Sequence, residues 1–509
     1  NRRYFTITEC QSDLMYIDRN DQPDATLQVS PSNPQFATAM WQYCYQGVMR
    51  ANAMETAILR APFSEEEKAP LLAETIVLRS FFYYILTINF GDVPFYKEEV
   101  TDENNRRIAR LPRMSASDTR NELIDDLREW VLDKEVLDRK RTNDADNSQR
   151  YRFGAAVGLM LGGKMCLWEE RWSDAVDFFS ELEEIYGNGA GNPAGVLDKY
   201  PLSDIPFSNR QVPESILEIS NIAVDFGLQV TGNLAVICTP QRTSLTVNED
   251  SENEDDEFNE EDYYRGIGIP ELGSAARTQT PIRPTKRFYQ VLMPYTSTDR
   301  RRAQYDANGI KLNDSGGYLA WGWPGYSRED NREEADPQWM FFDGGKATSR
   351  PYLGNKFWCF GMQYTNDSNS YKFFRFAGAL LGLSEAWLQR GDHDMACAYL
   401  NEVRRRAGLD PISSSLDADQ LLAEIQDENA RELFGEFQRK HDLVRWGLWY
   451  EYVVNYNAAV KSDETPYGEN NTRLRDNIRP CHEYYPIPDE QITYSNGALD
   501  NDEYNKYGL

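Results

Sequence analysis

A chain of 509 residues has room for one to three domains of roughly 150 residues each and for a large buried core. Its 54 Lys and Arg stand against 82 Asp and Glu, and the resulting net charge of −28 repels a phosphate backbone and argues against general nucleic-acid binding. The hydrophobic share of 40%, with 11 Trp, 30 Tyr and 23 Phe, excludes a disordered acidic chain and raises the question of what so many rings touch.

The most apolar uncharged stretch, Ser80–Phe90, is shorter than the roughly 18 residues a membrane helix needs, so no bilayer-spanning helix is expected. No basic start with an apolar run behind it opens the sequence at Asn1, so any signal peptide is expected to have been removed or left out. The seven cysteines are scattered and contain no CxxC pair, which signals neither a zinc site nor a dense disulfide framework and leaves a single disulfide open.

In chain order, Phe36, Met40, Tyr43, Cys44, Gly47 and Met49 recur at helical spacing, which predicts a helix over 34–59 with Asn33 as N-cap and Pro34 at its first position. Ser64 with Glu67 forms a capping-box pattern that opens a second helix, stopped at Gly91 and Pro94. Further helices are read over 118–136, 151–167 and 174–186, the last two as a hairpin around a turn at 169–173. The same grammar returns at 374–390 and 394–406 around Gly391-Asp392, with the small residues Ala386 and Ala396 where two helices must approach. Between these, 201–370 loses helical period and gains Gly, Pro and aromatics, with only 215–221 reading as a strand. A last helix, 428–446, carries closely spaced opposite charges, and Arg445-Trp446 beside Asp442 reads either as a buried network or as a recognition cluster. The fold class is therefore mainly α, with tetratricopeptide-like helix pairs, long irregular loop excursions and few short strands.

Three motifs invite chemistry. Gly158–Lys164 has the glycine and lysine spacing of a phosphate-binding loop, but Met165 stands where Ser or Thr belongs and no strand precedes it, so close helix packing is the better reading. Ten of the fourteen residues 249–262 are acidic, without the spaced oxygens and turn glycine of a calcium loop, and read as a solvated run. Only three histidines occur, with no HExxH and no G-x-S-x-G, so no catalytic, metal or cofactor site is signalled. A glycosidase carboxylate pair, which need only face across space, leaves no sequence signal.

The most informative segment is 318–342, where Tyr318, Trp321, Trp323, Tyr326, Trp339, Phe341 and Phe342 are interleaved with Gly and Pro. Rings on loops present broad apolar faces that suit the CH-rich faces of sugars, while neighbouring Asp, Asn, Gln and Arg can pair with hydroxyls. Packing of the loop onto the helices is the alternative for any single ring. Trp321, Trp323, Tyr326 and Trp339 are the candidate ligand-binding residues.

Taken together, Trp41–Tyr45 with Arg50-Ala51-Asn52, the run Leu78–Tyr84 leading to Phe90-Gly91-Asp92-Val93-Pro94, and Glu214–Ile219 form an ordered series. It continues through Phe374–Ala377 with Ser384-Glu385-Ala386, Leu400–Gly408, Arg431-Glu432-Leu433, Asp442–Gly447 and Pro486-Ile487-Pro488. In this order, over nearly the whole chain, the sequence resembles the SusD/RagB-like outer-membrane nutrient-binding lipoproteins of Bacteroidetes. It departs from their pattern at Gly378, Asn429 and 500–504.

The resemblance implies one SusD-like domain over 1–509: a helical scaffold at 34–200 and 371–460 with four tetratricopeptide-like pairs, a loop-rich ligand-binding excursion at 201–370, and an extended segment at 461–509. It further implies surface display through a lipidated cysteine and a SusC-like TonB-dependent transporter as partner. Cys10 does not suit a lipid anchor, because Glu9 precedes it where a small residue belongs, so the anchor is expected upstream of Asn1. The function implied is a non-catalytic receptor for an oligosaccharide. An oligopeptide receptor of the same architecture, or a helical glycoside hydrolase, stays open at this point.

Overall fold

The computed structural model describes residues 2–17, 22–139, 152–221, 232–238, 282–294, 297–302, 317–319, 341–343, 346–348, 353–359, 366–458 and 472–509. The longer helices are α1 (Arg2–Glu9), α2 (Phe36–Arg60), α3 (Glu65–Phe90), α4 (Ala116–Leu127), α5 (Ala155–Trp168), α6 (Trp172–Tyr186), α7 (Phe376–Gln389), α8 (His393–Arg406), α9 (Ala418–Glu432) and α10 (Arg439–Arg445). Short strands β1 (Met15–Ile17), β2 (Ser215–Ser220), β3 (Ile282–Pro284), β4 (Phe341–Asp343), β5 (Lys346–Thr348) and β6 (Ser370–Arg375) pair antiparallel as β1–β3, β2–β6 and β4–β5. The protein is mainly helical.

Local chemistry explains the helix ends. Ser64 Oγ accepts from the Glu67 backbone N–H while the Glu67 carboxylate accepts from the Ser64 N–H at 2.9 Å, and α3 closes at Gly91, whose φ of 69° favours glycine. An 18-residue window of α3 is apolar enough to cross a membrane, in contrast to what the 80–90 run suggested, but 78% of that window is buried inside the fold. It is a core helix. The α2 start also differs from expectation: it begins at Phe36, and Asn33 does not cap it. The Asp24 carboxylate, distant in sequence, accepts from the Phe36 N–H at 3.3 Å instead.

The expected hairpins form as α5–α6 and α7–α8, and α6 packs against α7. The glycines of the false phosphate loop sit inside α5, where a Cβ on Gly162 would lie 2.5 Å from the Phe178 ring and one on Gly163 2.4 Å from Phe179. Gly382 of α7 approaches the same Phe179 ring, at 2.5 Å for its Cβ, so absent side chains let three helices close on one phenyl group. Lys164 is buried, 3.8 Å from Asp442.

Two further element boundaries differ from those expected of the sequence. The expected helix 428–446 is two helices, α9 and α10, because Gly435 and Phe437 take φ of 78° and 65° and break the helical path between them. Phe374 and Arg375, expected to start a helix, end β6, the partner of β2. Arg445 is part of a buried network with Glu385 and Asp442, and Trp446 donates to Glu385 at 3.0 Å.

One continuous apolar core joins α1 to α9 and the β2–β6 pair, and a smaller cluster of Leu27, Leu443, Val444, Trp449, Val453, Leu474 and Ile478 seals α10. None of the seven cysteines is in a disulfide, and Cys10 is buried in the main core.

Candidate ligand-binding site

The described body shows where the excursion is rooted. At the end of the β2–β6 pair, the Asn221 side chain donates to the Asn369 carbonyl at 2.8 Å, and Gly232 and Asp367 exchange two backbone hydrogen bonds of 2.9 Å. The Asn369 side-chain amide donates to the Phe357 carbonyl at 3.1 Å, and the Ser368 N–H to the Cys359 sulfur at 3.4 Å. The residues that bound the segments 222–231 and 360–365 therefore meet on one floor.

Asp367 is the centre of that floor. Its Oδ1 accepts from the Tyr371 hydroxyl at 2.5 Å and the Asn369 N–H at 3.2 Å, and its Oδ2 from the Ala235 N–H at 2.9 Å, holding the one-turn helix Ala235–Cys238. Burial pushes the Asp367 carboxyl up, against the pull of these donors. A Cβ on Gly232 would lie 2.3 Å from the Tyr371 hydroxyl and 2.4 Å from Asp367 Oδ1, so only glycine brings this strand so close.

A buried charge network ties the floor to the scaffold. Arg375, at the end of β6, pairs with Glu214 at 2.7 Å, Glu436 at 2.9 Å and Glu432 at 3.0 Å. Arg406 of α8 pairs with Glu214 and Glu432, and Arg301 with Asp299, Glu428 and Glu432. Lys356 binds Glu436 at 2.7 Å, and its ammonium lies 5.2 Å from the Tyr318 ring centre. The guanidinium groups around Glu432 hold its carboxyl well below the ordinary range despite burial.

Tyr318, first ring of the aromatic segment, is buried against this network, and the Lys356 N–H donates to its carbonyl at 3.1 Å. It packs rather than displays. Tyr318-Leu319 and Leu353–Phe357 thus form the two roots of the ring-rich segment. Trp321, Trp323, Tyr326 and Trp339 lie outside the described residues, as does the acidic run 249–262; Phe341 and Phe342 belong to the β4–β5 hairpin. Trp358 and Asn369, which also sit on the floor, belong to no sequence motif, and the hydrogen bond that joins their segments closes a span of twelve residues with no periodicity in the sequence to mark it.

Among the described residues no group of His, Cys, Asp and Glu is arranged to hold a metal ion. Burial holds His441 down at about 3 and His482 at about 4, so both are neutral at physiological pH.

Two family models match the chain: one described as the SusD family, over residues 253–504, and one described as starch-binding and associating with the outer membrane, over residues 6–132. The chain belongs to the SusD family. A curated relative, SusD-like protein P25 of Formosa agariphila, is 23% identical over 479 residues, covering 91% of this chain and 78% of the relative. Among solved structures, surface glycan-binding protein A from Bacteroides uniformis superposes with a TM-score of 0.66 at 20% identity, covering 98% of this chain and 94% of that one. Surface glycan-binding protein A from Bacteroides thetaiotaomicron, solved in complex with laminarihexaose, gives a TM-score of 0.64 at 20% identity over 98% of this chain and 93% of that one. These likenesses give this SusD-family chain the same fold.

Proposed function

We propose that this SusD-family protein is a non-catalytic surface receptor that captures an oligosaccharide at the outer membrane and passes it to a SusC-like TonB-dependent transporter. The observation that carries the proposal is the whole-chain likeness to surface glycan-binding proteins, one of them solved with laminarihexaose. The ring-rich segment between Leu319 and Leu353 supports it from the sequence: Trp321, Trp323, Tyr326 and Trp339 would stack on sugar faces. Stacking without covalent chemistry gives the moderate affinity that release into a channel requires. A lipid anchor would hold the receptor at the membrane.

The test is calorimetry and affinity electrophoresis against neutral and acidic polysaccharides, with laminarihexaose and a mixed peptide pool alongside and product analysis of every positive. Retention of a glycan without cleavage is the expected result. Peptide binding alone, or release of sugar products, would replace the proposal with a peptide receptor or a glycoside hydrolase.

A further inference from the structure

Among the described residues, two buried polar atoms on the floor of the excursion have no hydrogen-bond partner: the indole Nε1 of Trp358 and the Oδ1 of Asn369. The residues are 3% and 1% exposed. They belong to one local construction, because Asn369 donates its amide to the carbonyl of Phe357, immediately before Trp358, while the Ser368 N–H bonds Cys359, immediately after it. The bond to Phe357 fixes which end of the Asn369 amide is the oxygen. One unmet donor and one unmet acceptor therefore sit on adjoining segments, and each is costly to leave unpaired.

The chemistry of this pair calls for a neutral partner that both donates and accepts; a peptide amide would also serve, and the glycan reading above chooses the hydroxyl. An anion would satisfy only the indole N–H and a cation only the amide oxygen, whereas a hydroxyl group donates and accepts. On the same floor the Asp367 carboxylate is already engaged by Tyr371, Asn369 and Ala235, and the Arg210 guanidinium by the Ser368 carbonyl, so neither charge supplies the missing partner. We propose that Trp358 and Asn369 form the polar floor of the carbohydrate site, the indole donating to one ligand hydroxyl oxygen and the amide oxygen accepting from a hydroxyl. This rests on the glycan reading above and adds to it two residues outside the ring-rich segment.

Trp358→Phe keeps the apolar ring and removes the N–H. With laminarihexaose, or whichever neutral oligosaccharide the wild-type chain retains, calorimetry should show affinity lowered roughly three- to tenfold in a variant whose circular dichroism shows it folded. In the wild-type protein labelled with ¹⁵N, the Trp358 indole signal, assigned through bonds and by its loss in the variant, should shift at saturation. That spectrum decides the matter even where the variant fails to fold. A ligand-saturated wild type whose Trp358 signal stays in place, with a folded variant binding equally well, would mean that buried water holds both atoms and would overturn the proposal. A wild type that retains no glycan of any kind overturns the glycan reading itself, and this inference with it.

Discussion

A carboxylic acid at the centre of a core must be held by donors or stay protonated, and Glu9 shows both tendencies. It is fully buried, and its two oxygens accept from the Gly435 N–H at 3.2 Å and the Gln438 N–H at 3.1 Å, fastening α1 to the turn between α9 and α10. Burial nonetheless prevails and pushes its carboxyl up to about 7. The folded state thus binds this proton more tightly than the unfolded chain does. Its contribution to stability is complete below the unfolded value and is lost as pH rises through about 7. Urea unfolding of wild type and Glu9→Gln across this range should show the wild-type advantage shrinking by about 3 kcal/mol between pH 4.5 and 8. A difference that stays flat with pH would mean that Glu9 does not titrate in this window.

Between elements, the strongest ties are ionic and buried. Glu432 of α9 holds guanidinium groups from β6, α8 and the 297–302 segment, so it joins scaffold and excursion at one carboxylate. Glu432→Gln leaves these cations under-compensated in the core, and unfolding in guanidinium chloride should show a loss of about 3–5 kcal/mol. Glu129→Ala, which removes an exposed partner of Lys134, should change stability by less than about 1 kcal/mol. Equal losses in the two variants would contradict the reading of the buried network. The same contrast between near and far explains what the sequence discloses. The Ser64 capping box and the Gly91 stop lie within one turn of the residues they govern, and both are legible. The start of α2 is not, because its capping carboxylate comes from Asp24, and the break between α9 and α10 hides in a charged run whose period continues through Gly435. β6 reads as a helix start because its strand character depends on pairing with β2, more than 150 residues earlier in the chain. Of the floor, Asp367, Asn369 and Trp358 carry no local signal, whereas the rings of 318–342 stand out by composition alone.

At the scale of the molecule, the proposed function would divide stability and recognition between different parts of the chain. The main apolar core and the charge network lie in the helices and in the roots of the excursion, while the four candidate rings occupy the span between Leu319 and Leu353. Replacing Trp321 and Trp323 together by Ala should therefore lower glycan affinity at least tenfold, at the roughly 1–3 kcal/mol per ring that stacking contributes elsewhere, and leave the unfolding midpoint unchanged. Unchanged affinity in the folded double variant would remove this segment from the site. The net charge of −28 adds a second readout to the same titration. Ring stacking on a neutral sugar involves no ion pairing, so wild-type affinity for a neutral oligosaccharide should stay nearly constant as salt shortens the screening length from roughly 30 Å to 3 Å. A polyanionic glycan meets the field of the whole acidic molecule, and any binding of it should strengthen over the same range. Affinity for a neutral ligand that collapses with salt would point to ionic contacts and away from stacking.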